Sequence, residues 1–396
     1  MFKNPLSDLP REVNVLVGAS FFVAVGFGIV VPAIPVFASS FGVSHAAVGL
    51  IISAFAVTRF ASGLFSGKLV DRFGERSVFA SGVLIVSISV LLAGLAQNYE
   101  QLLFFRAAGG LGSSMFSVAA GSVILRSVDD SKRAHAQSVY NGAFLLGAVA
   151  GPAMGGALTT ISPRAPFFVY SFTLLISGTI AFFFFTSSHL QARNKESNPV
   201  EITRLRDALA IKPYRYALII SFVASWVLFG LRSSILPLFV TEELGSTAAV
   251  VGFGFTLSAI FQGALLLKAG RLSDNRGRRY AAIIGSSTVL IGVLVMVLTT
   301  NIWMYLLSMS VLGIGGAFLG TTPASIVGDV IKGKGGQVIA LFQMAGDAGM
   351  MVGPIVVGFI SDHYGYRSSF TVSGAVFAIA LILAIKLPET RKSHLG

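Results

Sequence analysis

The chain has 396 residues, of which 54% are hydrophobic and 12% charged, and its mean hydropathy is +0.80. Soluble domains are typically about 45–50% apolar and ~25% charged, so this composition excludes a water-soluble globular protein. The formal charge of +12 raises the question of nucleic-acid binding, while the lack of cysteine excludes disulfides and thiolate metal sites.

Twelve apolar stretches follow one another along the chain, each long enough for the ~20-residue helix that crosses a bilayer. The first is too long for a secretory signal peptide and lacks a small-residue cleavage site, so we interpret it as helix 1. We therefore predict an all-α, polytopic membrane protein. The predicted spans are 13–40, 45–67, 76–97, 100–126, 134–162, 165–187, 213–241, 247–270, 280–300, 302–328, 336–362 and 367–387.

One polar stretch, 188–212, is long enough to be a linker, and it divides the predicted helices into six and six. We expect an N-terminal six-helix bundle over 1–187, a cytoplasmic linker, and a C-terminal six-helix bundle over 213–396.

The distribution of Lys and Arg predicts the orientation. If the N-terminus is cytoplasmic, only Arg164 and Arg367 lie outside the cell, and nearly all other basic residues lie inside. The positive-inside rule then places both termini in the cytoplasm of a protein of the inner or plasma membrane. Basic loops that face anionic lipid headgroups also explain the net charge, so we expect the lipid bilayer, and no nucleic acid, as a partner.

An internal repeat relates the two halves. The segment GKLVDRFGER at 67–76 returns 203 residues later as GRLSDNRGRR at 270–279. A shift of 202 pairs Pro35 with Pro237 and the run at 147–156 with the run at 349–358. We predict two pseudo-symmetric six-helix bundles. Parallel halves around a central site are a transporter plan in which the halves rock to expose the site alternately.

The doubled segment resembles the GxLaDrxGrr loop found between helices 2 and 3, and again between helices 8 and 9, of the major facilitator superfamily. The resemblance covers essentially the whole chain and implies a secondary transporter. In the family this loop is thought to latch the halves in the outward-open state. Its aspartate can accept hydrogen bonds from the free amides at a neighbouring helix N-terminus. The alternative is a basic turn that only follows the positive-inside rule. The residues that match the latch are Gly67, Asp71, Arg72, Gly74 and Arg76, with Gly270, Asp274 and Gly277 in the second copy.

Helix 5 carries a GxxxGPxxGG pattern, which resembles the motif of the antiporter branches and particularly of the drug:proton exporters. Glycines one turn apart let a partner helix approach closely, and the proline introduces a kink. The resemblance implies export in exchange for protons, although small-residue packing alone would explain the same strip. The pattern consists of Gly147, Gly151, Pro152, Gly155 and Gly156.

Arg106 on helix 4 resembles the family's helix-4 arginine, which is implicated in proton coupling. The second half has Met309 at the equivalent place, so this arginine is not a repeat feature. A charged residue inside the membrane is a functional candidate by default. The alternative is an arginine that snorkels to the outer interface or holds backbone carbonyls.

Asp347 is the acidic residue closest to the predicted midplane, about 11 residues or roughly 17 Å into helix 11. Our hypothesis is that it carries the proton or senses a cation, with a static ion pair as the alternative. Helices 7 and 11 border one cavity in the family, which would allow an Arg232–Asp347 pair. Several drug:proton exporters carry an acid in helix 1, but Val13 to Phe41 hold no charge.

Further cavity candidates follow from helical position. Aromatic residues and methionine offer an adaptable surface for flat apolar compounds, but an aromatic chosen by periodicity alone is more often a packing residue. These candidates are Tyr140, Asn141 and Phe144 on helix 5, Phe229 on helix 7, Gln262 on helix 8, and Gln343 and Met350 on helix 11.

Enzyme signatures are not found in the sequence. The segment GDVIKGKG at 328–335 has the spacing of a phosphate-binding loop but lacks its Ser or Thr and a preceding strand. The five histidines show no close metal-ligand spacing. We expect no enzyme, no cofactor and no metal site.

The sequence therefore predicts a monomeric transporter whose partners are a small-molecule substrate, protons and the lipid bilayer. The favoured function is export of small amphipathic, drug-like compounds in exchange for protons. A narrow exporter of a sugar, amino acid or other metabolite is the first alternative. A lipid flippase or a membrane-embedded enzyme is the alternative of another class.

Overall fold

A computed structural model describes residues 9–128, 130–185, 203–331 and 336–390 of the chain. Eleven stretches among them are long and apolar enough to cross a membrane. The last, Gln337–Ile385, has 49 residues, or about 74 Å of helix at 1.5 Å per residue. That is more than twice the ~30 Å hydrocarbon thickness of a bilayer, and a break at Gly365 divides it into two crossings.

The described residues thus form twelve spanning helices, and the prediction of an all-α, polytopic membrane protein is confirmed. In chain order they are α1 (Arg11–Val30, continued by Ala33–Ser39), α2 (45–73), α3 (75–95), α4 (Tyr99–Ser127), α5 (Asp130–Ile161), α6 (Ala165–Phe184), α7 (Lys212–Glu243), α8 (Ala248–Arg276), α9 (Arg278–Val297), α10 (Ile302–Leu319, continued by Thr322–Val330), α11 (336–364) and α12 (366–385).

The predicted linker is described only in part. Residues 188–202 lie outside the described residues, and the remainder contains a short helix, Leu205–Ala210, that the polar composition did not predict.

The helices form two compact units. Unit 1 comprises Met1–Val43, Ile51–Asn194 and Thr247–Thr256, and unit 2 comprises Ser44–Leu50, Lys195–Ser246 and Leu257–Gly396. Unit 1 therefore holds α1, most of α2, α3 to α6 and the start of α8. Unit 2 holds the first residues of α2, all of α7, the rest of α8 and α9 to α12. The predicted boundaries at 187 and 213 did not anticipate that the first residues of α2 belong to unit 2 and the start of α8 to unit 1.

Single glycines separate three pairs of helices. Gly74, Gly277 and Gly365 have φ of +77°, +107° and +79°, a region that glycine adopts without the steric penalty of a Cβ atom. The sequence predicted a polar loop over 67–76. That prediction is corrected, since α2 continues through Asp71 and Arg72 to residue 73 and α3 begins at residue 75.

The two equivalent prolines lie where α1 and α7 depart from regular α-helix. Helix α1 is interrupted at Val31 and Pro32, three residues before Pro35. Helix α7 is π-helical at Trp226–Ile235, directly before the short α-helical segment Leu236–Leu238, which contains Pro237. A proline has no N–H and its ring clashes with the carbonyl four residues earlier, so the hydrogen-bond register must change nearby.

Arg164 and Arg367 occupy equivalent positions near the starts of α6 and α12. Arg164 donates a hydrogen bond to the Gly94 carbonyl at 3.3 Å, and Arg367 donates one to the Thr299 carbonyl at 3.5 Å. Each arginine thus contacts the backbone at the end of the helix three positions earlier.

Candidate functional site

The glycines of the helix-5 motif lie directly against α1 in unit 1. A Cβ atom added to Gly151 would lie 2.7 Å from the Cα atom of Gly28, closer than real Cβ contacts allow. Gly147 and Gly155 are equally close to the α1 backbone. Backbones in contact over three turns maximise van der Waals packing inside a membrane, so α1 is the partner that the motif fits.

The other side of α5 contacts the first turns of α8. A Cβ atom on Gly156 would lie 2.5 Å from the Ala248 carbonyl oxygen, and the Ala153 amide donates to the Thr256 hydroxyl at 3.0 Å. That amide directly follows Pro152, where the regular helical bonding is interrupted. In unit 1, α5 is therefore held between α1 and the start of α8.

The same contact recurs in unit 2. A Cβ atom on Gly353 of α11 would lie 3.3 Å from the Cα atom of Gly230 in α7. Both glycines lie 202 residues after Gly151 and Gly28. The repeat inferred from the sequence is therefore confirmed in the packing, since both partners of the contact shift together.

The latch residues have different surroundings in the two copies. In the first copy, Arg72 and Asp71 are exposed, and the Arg76 guanidinium lies 5.0 Å from the centre of the Phe182 ring. A Cβ atom on Gly67 or Gly270 would meet no described atom within 4 Å. Close packing therefore does not require these two glycines in this structure.

In the second copy, Asp274 does not cap the following helix. It forms a salt bridge with Arg278, whose Nε also donates to Asp329 at 3.0 Å. The free amides at the start of α9, those of Arg278 and Arg279, donate at 2.8 and 3.2 Å to the carboxylate of Glu389, beyond α12. The acid that caps α9 is therefore Glu389 of the C-terminal segment, and not Asp274 of the motif.

Arg106 is buried in unit 1, with 4% of its surface exposed. Its guanidinium lies 4.8 Å from the centre of the Phe55 ring, and its Nε has no hydrogen-bond partner among the described residues. The buried phenol of Tyr170 is close enough to interact with it electrostatically. A snorkelling arginine would expose its guanidinium, so this geometry does not fit that alternative.

The helix-5 cavity candidates also lie in unit 1. The Tyr140 and Phe144 rings are 5.3 Å apart, and Arg59 is within electrostatic range of Tyr140. Asn141 is exposed and accepts a hydrogen bond from Gln137 at 3.0 Å. The structure thus brings Tyr140 towards a second arginine, while Asn141 bonds along its own helix.

Unit 2 contains a cavity of about 310 Å³ between α7, α8, α9, α10, α11 and α12. Of the sequence-predicted candidates, it brings together Arg232 and Gln262. Phe229, Gln343, Asp347 and Met350 are not among its described lining residues. Its other described lining residues are Ser221, Ala224, Ser225, Val227, Leu228, Val289, Leu312, Gly316, Leu319, Gly320, Pro323, Ala324, Phe342 and Phe377.

One face of α7 carries a polar stripe that was not predicted from the sequence. Ser221, Ser225, Leu228 and Arg232 follow one another at helical spacing and all line the cavity. That spacing of i, i+4, i+7 and i+11 marks one helix face, and two serines followed by an arginine on one face could have identified it.

Asp347 lies in α11, which packs against α7 in unit 2. The neighbouring Gly346 faces Ser225 of α7, where an added Cβ atom would lie 3.3 Å from the hydroxyl oxygen. The pairing of Asp347 with Arg232 stays a prediction.

A cluster that the sequence did not predict lies at the start of α2 in unit 2. The backbone amides of His45 and Ala46 donate to Asp362 at 2.7 and 2.9 Å. The Tyr366 hydroxyl donates to Glu242 at 2.5 Å and lies 2.9 Å from the His45 Nε2 atom. Groups from α2, α7, α11 and α12 thus meet around one helix N-terminus.

The described residues form twelve apolar helices in two repeated bundles, the architecture of a multi-pass membrane transporter. The model of the Major Facilitator Superfamily matches residues 16–233 and 217–396. The chain belongs to this superfamily and is a transporter, not an enzyme.

Two multidrug resistance proteins of similar length are among the relatives of this chain. The multidrug resistance protein MdtG of Proteus mirabilis is 26% identical over 336 residues, which covers 83% of both chains. Multidrug resistance protein 1 of Bacillus subtilis is 27% identical over 397 residues, covering 96% of this chain and 97% of that protein. The crystal structure of a bacterial homologue of the human lysosomal transporter Spinster superposes with a TM-score of 0.80, at 16% identity and 98% coverage of both chains. This last similarity shows the shared fold.

Proposed function

We propose that this transporter exports small amphipathic, drug-like compounds in exchange for protons, by alternating access across the inner or plasma membrane. It acts as a monomer with both termini in the cytoplasm. The observation that carries the proposal is the complete GxxxGPxxGG strip of α5, packed backbone to backbone on α1 at Gly151 and Gly28. The names of the relatives, two multidrug resistance proteins, support the same substrate class.

The glycine strip of α5 combines close helix packing with a helix that is locally weakened at Pro152. Glycines permit helix contact without interlocking side chains, and Pro152 removes one hydrogen bond from the middle of α5. A helix of this kind can change its angle against α1 without breaking a side-chain network. Such a hinge suits a protein that alternates between two conformations.

Proton exchange requires a group that changes charge inside the membrane. Asp347 is our candidate, because a carboxylate within a membrane helix is costly and marks proton pathways. Arg106, buried against Phe55, is the candidate that responds to that change. Arg232, which lines the unit 2 cavity, is the third coupling candidate.

The test is efflux from proteoliposomes under an imposed pH gradient. The substrates are three dansyl-labelled octyl compounds that end in a carboxylate, a hydroxyl or an ammonium group. We expect gradient-driven efflux of at least one compound by the wild type, and a loss of roughly tenfold or more with Asp347→Asn. Exchange of labelled for unlabelled compound without a gradient should survive in this variant, which shows that it is folded.

The matched control is Asp207→Asn, which removes an exposed carboxylate from the short helix Leu205–Ala210. It should transport like the wild type. Gradient-driven efflux that is unchanged in Asp347→Asn would remove the proton role of this residue. If no compound moves while the gradient stays intact, drug export itself is wrong.

A narrow metabolite exporter is the second candidate. The observation that favours it is the polar side of the unit 2 cavity, where Ser221, Ser225, Gln262 and Arg232 offer several hydrogen-bonding groups. Transport of one defined solute, which none of the three dansyl compounds inhibits, would support it.

A further inference from the structure

We infer that the start of α2 carries a proton-binding site built on His45, and that the bound proton docks this helix end on α7, α11 and α12. All the groups of the site belong to unit 2, and in the proposed orientation they lie at the outer ends of the helices. The inference goes beyond the proposed function, because the site uses none of the residues assigned above to substrate binding or proton coupling.

The first argument is the arrangement of oxygen atoms around the His45 ring. Its Nδ1 atom lies 3.4 Å from Oδ1 of Asp362. Its Nε2 atom lies 2.9 Å from the Tyr366 hydroxyl oxygen and 3.4 Å from Oε2 of Glu242. The Nδ1 atom is buried and receives no hydrogen bond from any described residue. Both ring nitrogens therefore face oxygen atoms.

The second argument is a count of hydrogen atoms. The Tyr366 hydroxyl has one hydrogen, and the 2.5 Å distance to the Glu242 carboxylate commits it to that bond. The contact of Nε2 with the Tyr366 oxygen then needs a hydrogen on Nε2, and the contact of Nδ1 with Asp362 needs one on Nδ1. A neutral imidazole has one N–H group and an imidazolium has two. The cluster is therefore complete only with one extra proton, which it takes from the outer solution.

Histidine suits this task, because it is the side chain that changes charge between about pH 5 and 8. The side chain of His45 is 21% exposed and that of Glu242 44%, so water can deliver the proton. The positive end of the helix dipole opposes an imidazolium at the start of α2, but the carboxylates of Glu242 and Asp362 place two negative charges against it. The other charged pair of this region, Arg367 with Glu243 at 3.6 Å, neutralises itself.

The third argument is what the cluster holds together. Asp362 accepts hydrogen bonds from two backbone amides at the start of α2, at 2.7 and 2.9 Å. A Cβ atom added to Gly358 would lie 2.5 Å from the His45 carbonyl oxygen, so α11 runs directly against this helix end. The centre of the Tyr366 ring lies 4.9 Å from that of His45 and 5.7 Å from that of Phe239 in α7. Loss of the proton therefore acts on the contacts that dock α2 on three helices.

The sign of the pH dependence follows from the extra proton. Because the docked start of α2 binds more protons than a released one, its stability decreases as the pH rises. Above the range in which histidine titrates, one ring nitrogen of His45 turns a lone pair towards an oxygen atom. The docked state then loses a hydrogen bond to a charged group and gains a repulsion.

Hydrogen exchange of the full-length protein in nanodiscs tests this inference. The readout is the protection factor of the peptide that contains His45 and Ala46, corrected for the intrinsic pH dependence of exchange. Protection should fall by roughly tenfold between about pH 6 and pH 8, as expected for the loss of one hydrogen bond to a charged group. The start of α10 is the internal reference, because its cap, Asn301 accepting from the Met304 amide at 3.0 Å, does not titrate.

Two variants separate the proton from the fold. His45→Gln cannot bind the proton, so protection should be equal at both pH values. Glu242→Gln should also make protection independent of pH, because the glutamine amide can donate to the Tyr366 oxygen and the Tyr366 hydroxyl can then donate to Nε2. A neutral His45 with its hydrogen on Nδ1 completes every contact in this variant. It tests the inference even if His45→Gln does not fold.

The matched control is His363→Gln, which removes an exposed histidine whose Nδ1 atom lies 3.0 Å from the Phe359 carbonyl oxygen of its own helix. It should retain the pH dependence of the wild type.

Wild-type protection that does not change with pH would overturn the inference, as would a pH dependence that survives in His45→Gln or Glu242→Gln. An equal decrease at the start of α10, or a pH dependence lost in His363→Gln, would overturn it as well. The inference and the proposed function fail separately, since the exchange measurement involves no gradient and no substrate.

Discussion

Gly151 in α5 and Gly28 in α1 lie backbone against backbone, with room for no side chain between them. The equivalent pair Gly353 and Gly230 joins α11 to α7. These two pairs are equivalent in the two halves, and each includes a helix interrupted near an equivalent proline, Pro35 or Pro237. Both pairs therefore combine close backbone packing with irregular hydrogen bonding in one helix.

Gly151→Ala should lower the thermal stability by about 1–3 kcal/mol, because an added methyl group must separate two backbones. Transport should fall as well, since α5 can no longer lie against α1. The measurement is thermal unfolding in detergent together with the efflux assay. The matched control is Gly142→Ala on the same helix, where a Cβ atom meets no described atom within 4 Å. Equal behaviour of the two variants would show that the contact at Gly151 is unimportant.

Asp362→Ala should destabilise the start of α2. It removes the acceptor of the His45 and Ala46 amides, and the loss of a helix cap costs about 0.5–2 kcal/mol. Asp362→Asn keeps an acceptor oxygen and should cost less. Hydrogen exchange at the first turn of α2 measures this, with faster exchange expected in the alanine variant. Exchange rates that match the wild type would contradict the cap.

Glu389→Ala should destabilise the start of α9 in a similar way. The carboxylate accepts from the amides of Arg278 and Arg279 and also meets the positive end of the helix dipole. We expect a loss of about 1 kcal/mol, with Glu389→Gln intermediate, measured by thermal unfolding at low ionic strength. If Glu389→Gln and Glu389→Ala both unfold at the wild-type temperature, Glu389 contributes nothing to the stability of α9.

Arg106→Leu should have opposite effects on stability and activity. Replacing a buried charge by an apolar side chain is often neutral or stabilising by about 1–4 kcal/mol, so the melting temperature should stay or rise. Transport should be lost, because the guanidinium above Phe55 is our candidate for the group that responds to proton binding. A variant that unfolds at lower temperature and still transports would assign Arg106 a structural role instead.

The sequence predicts the helices well because the signal is local. About 20 consecutive apolar residues suffice to define a span, and glycine and proline mark the turns. The repeat could also be predicted, because homologous halves retain pairs such as Gly151 and Gly353 at a fixed shift. The single-glycine turns at Gly74 and Gly277 differ from the predicted loops, since a polar composition does not distinguish a loop from an exposed helix end.

The parts that were missed depend on residues far apart in the chain. Asp362 caps a helix that begins 317 residues earlier, and no local pattern indicates that partner. The cavity of unit 2 is formed by six helices, so helical position alone identified Arg232 and Gln262 but also selected residues that are not among its described lining. The π-helix of α7 has no sequence signature beyond the nearby proline.

The central claim is that substrate and protons move in opposite directions through this protein. Proteoliposomes loaded with the transported dansyl compound and a pH-sensitive dye, with no initial pH gradient, test it directly. We predict that substrate leaving the vesicles acidifies their interior, and that Asp347→Asn abolishes the pH change. Substrate that leaves while the internal pH stays constant would contradict proton exchange and indicate facilitated diffusion.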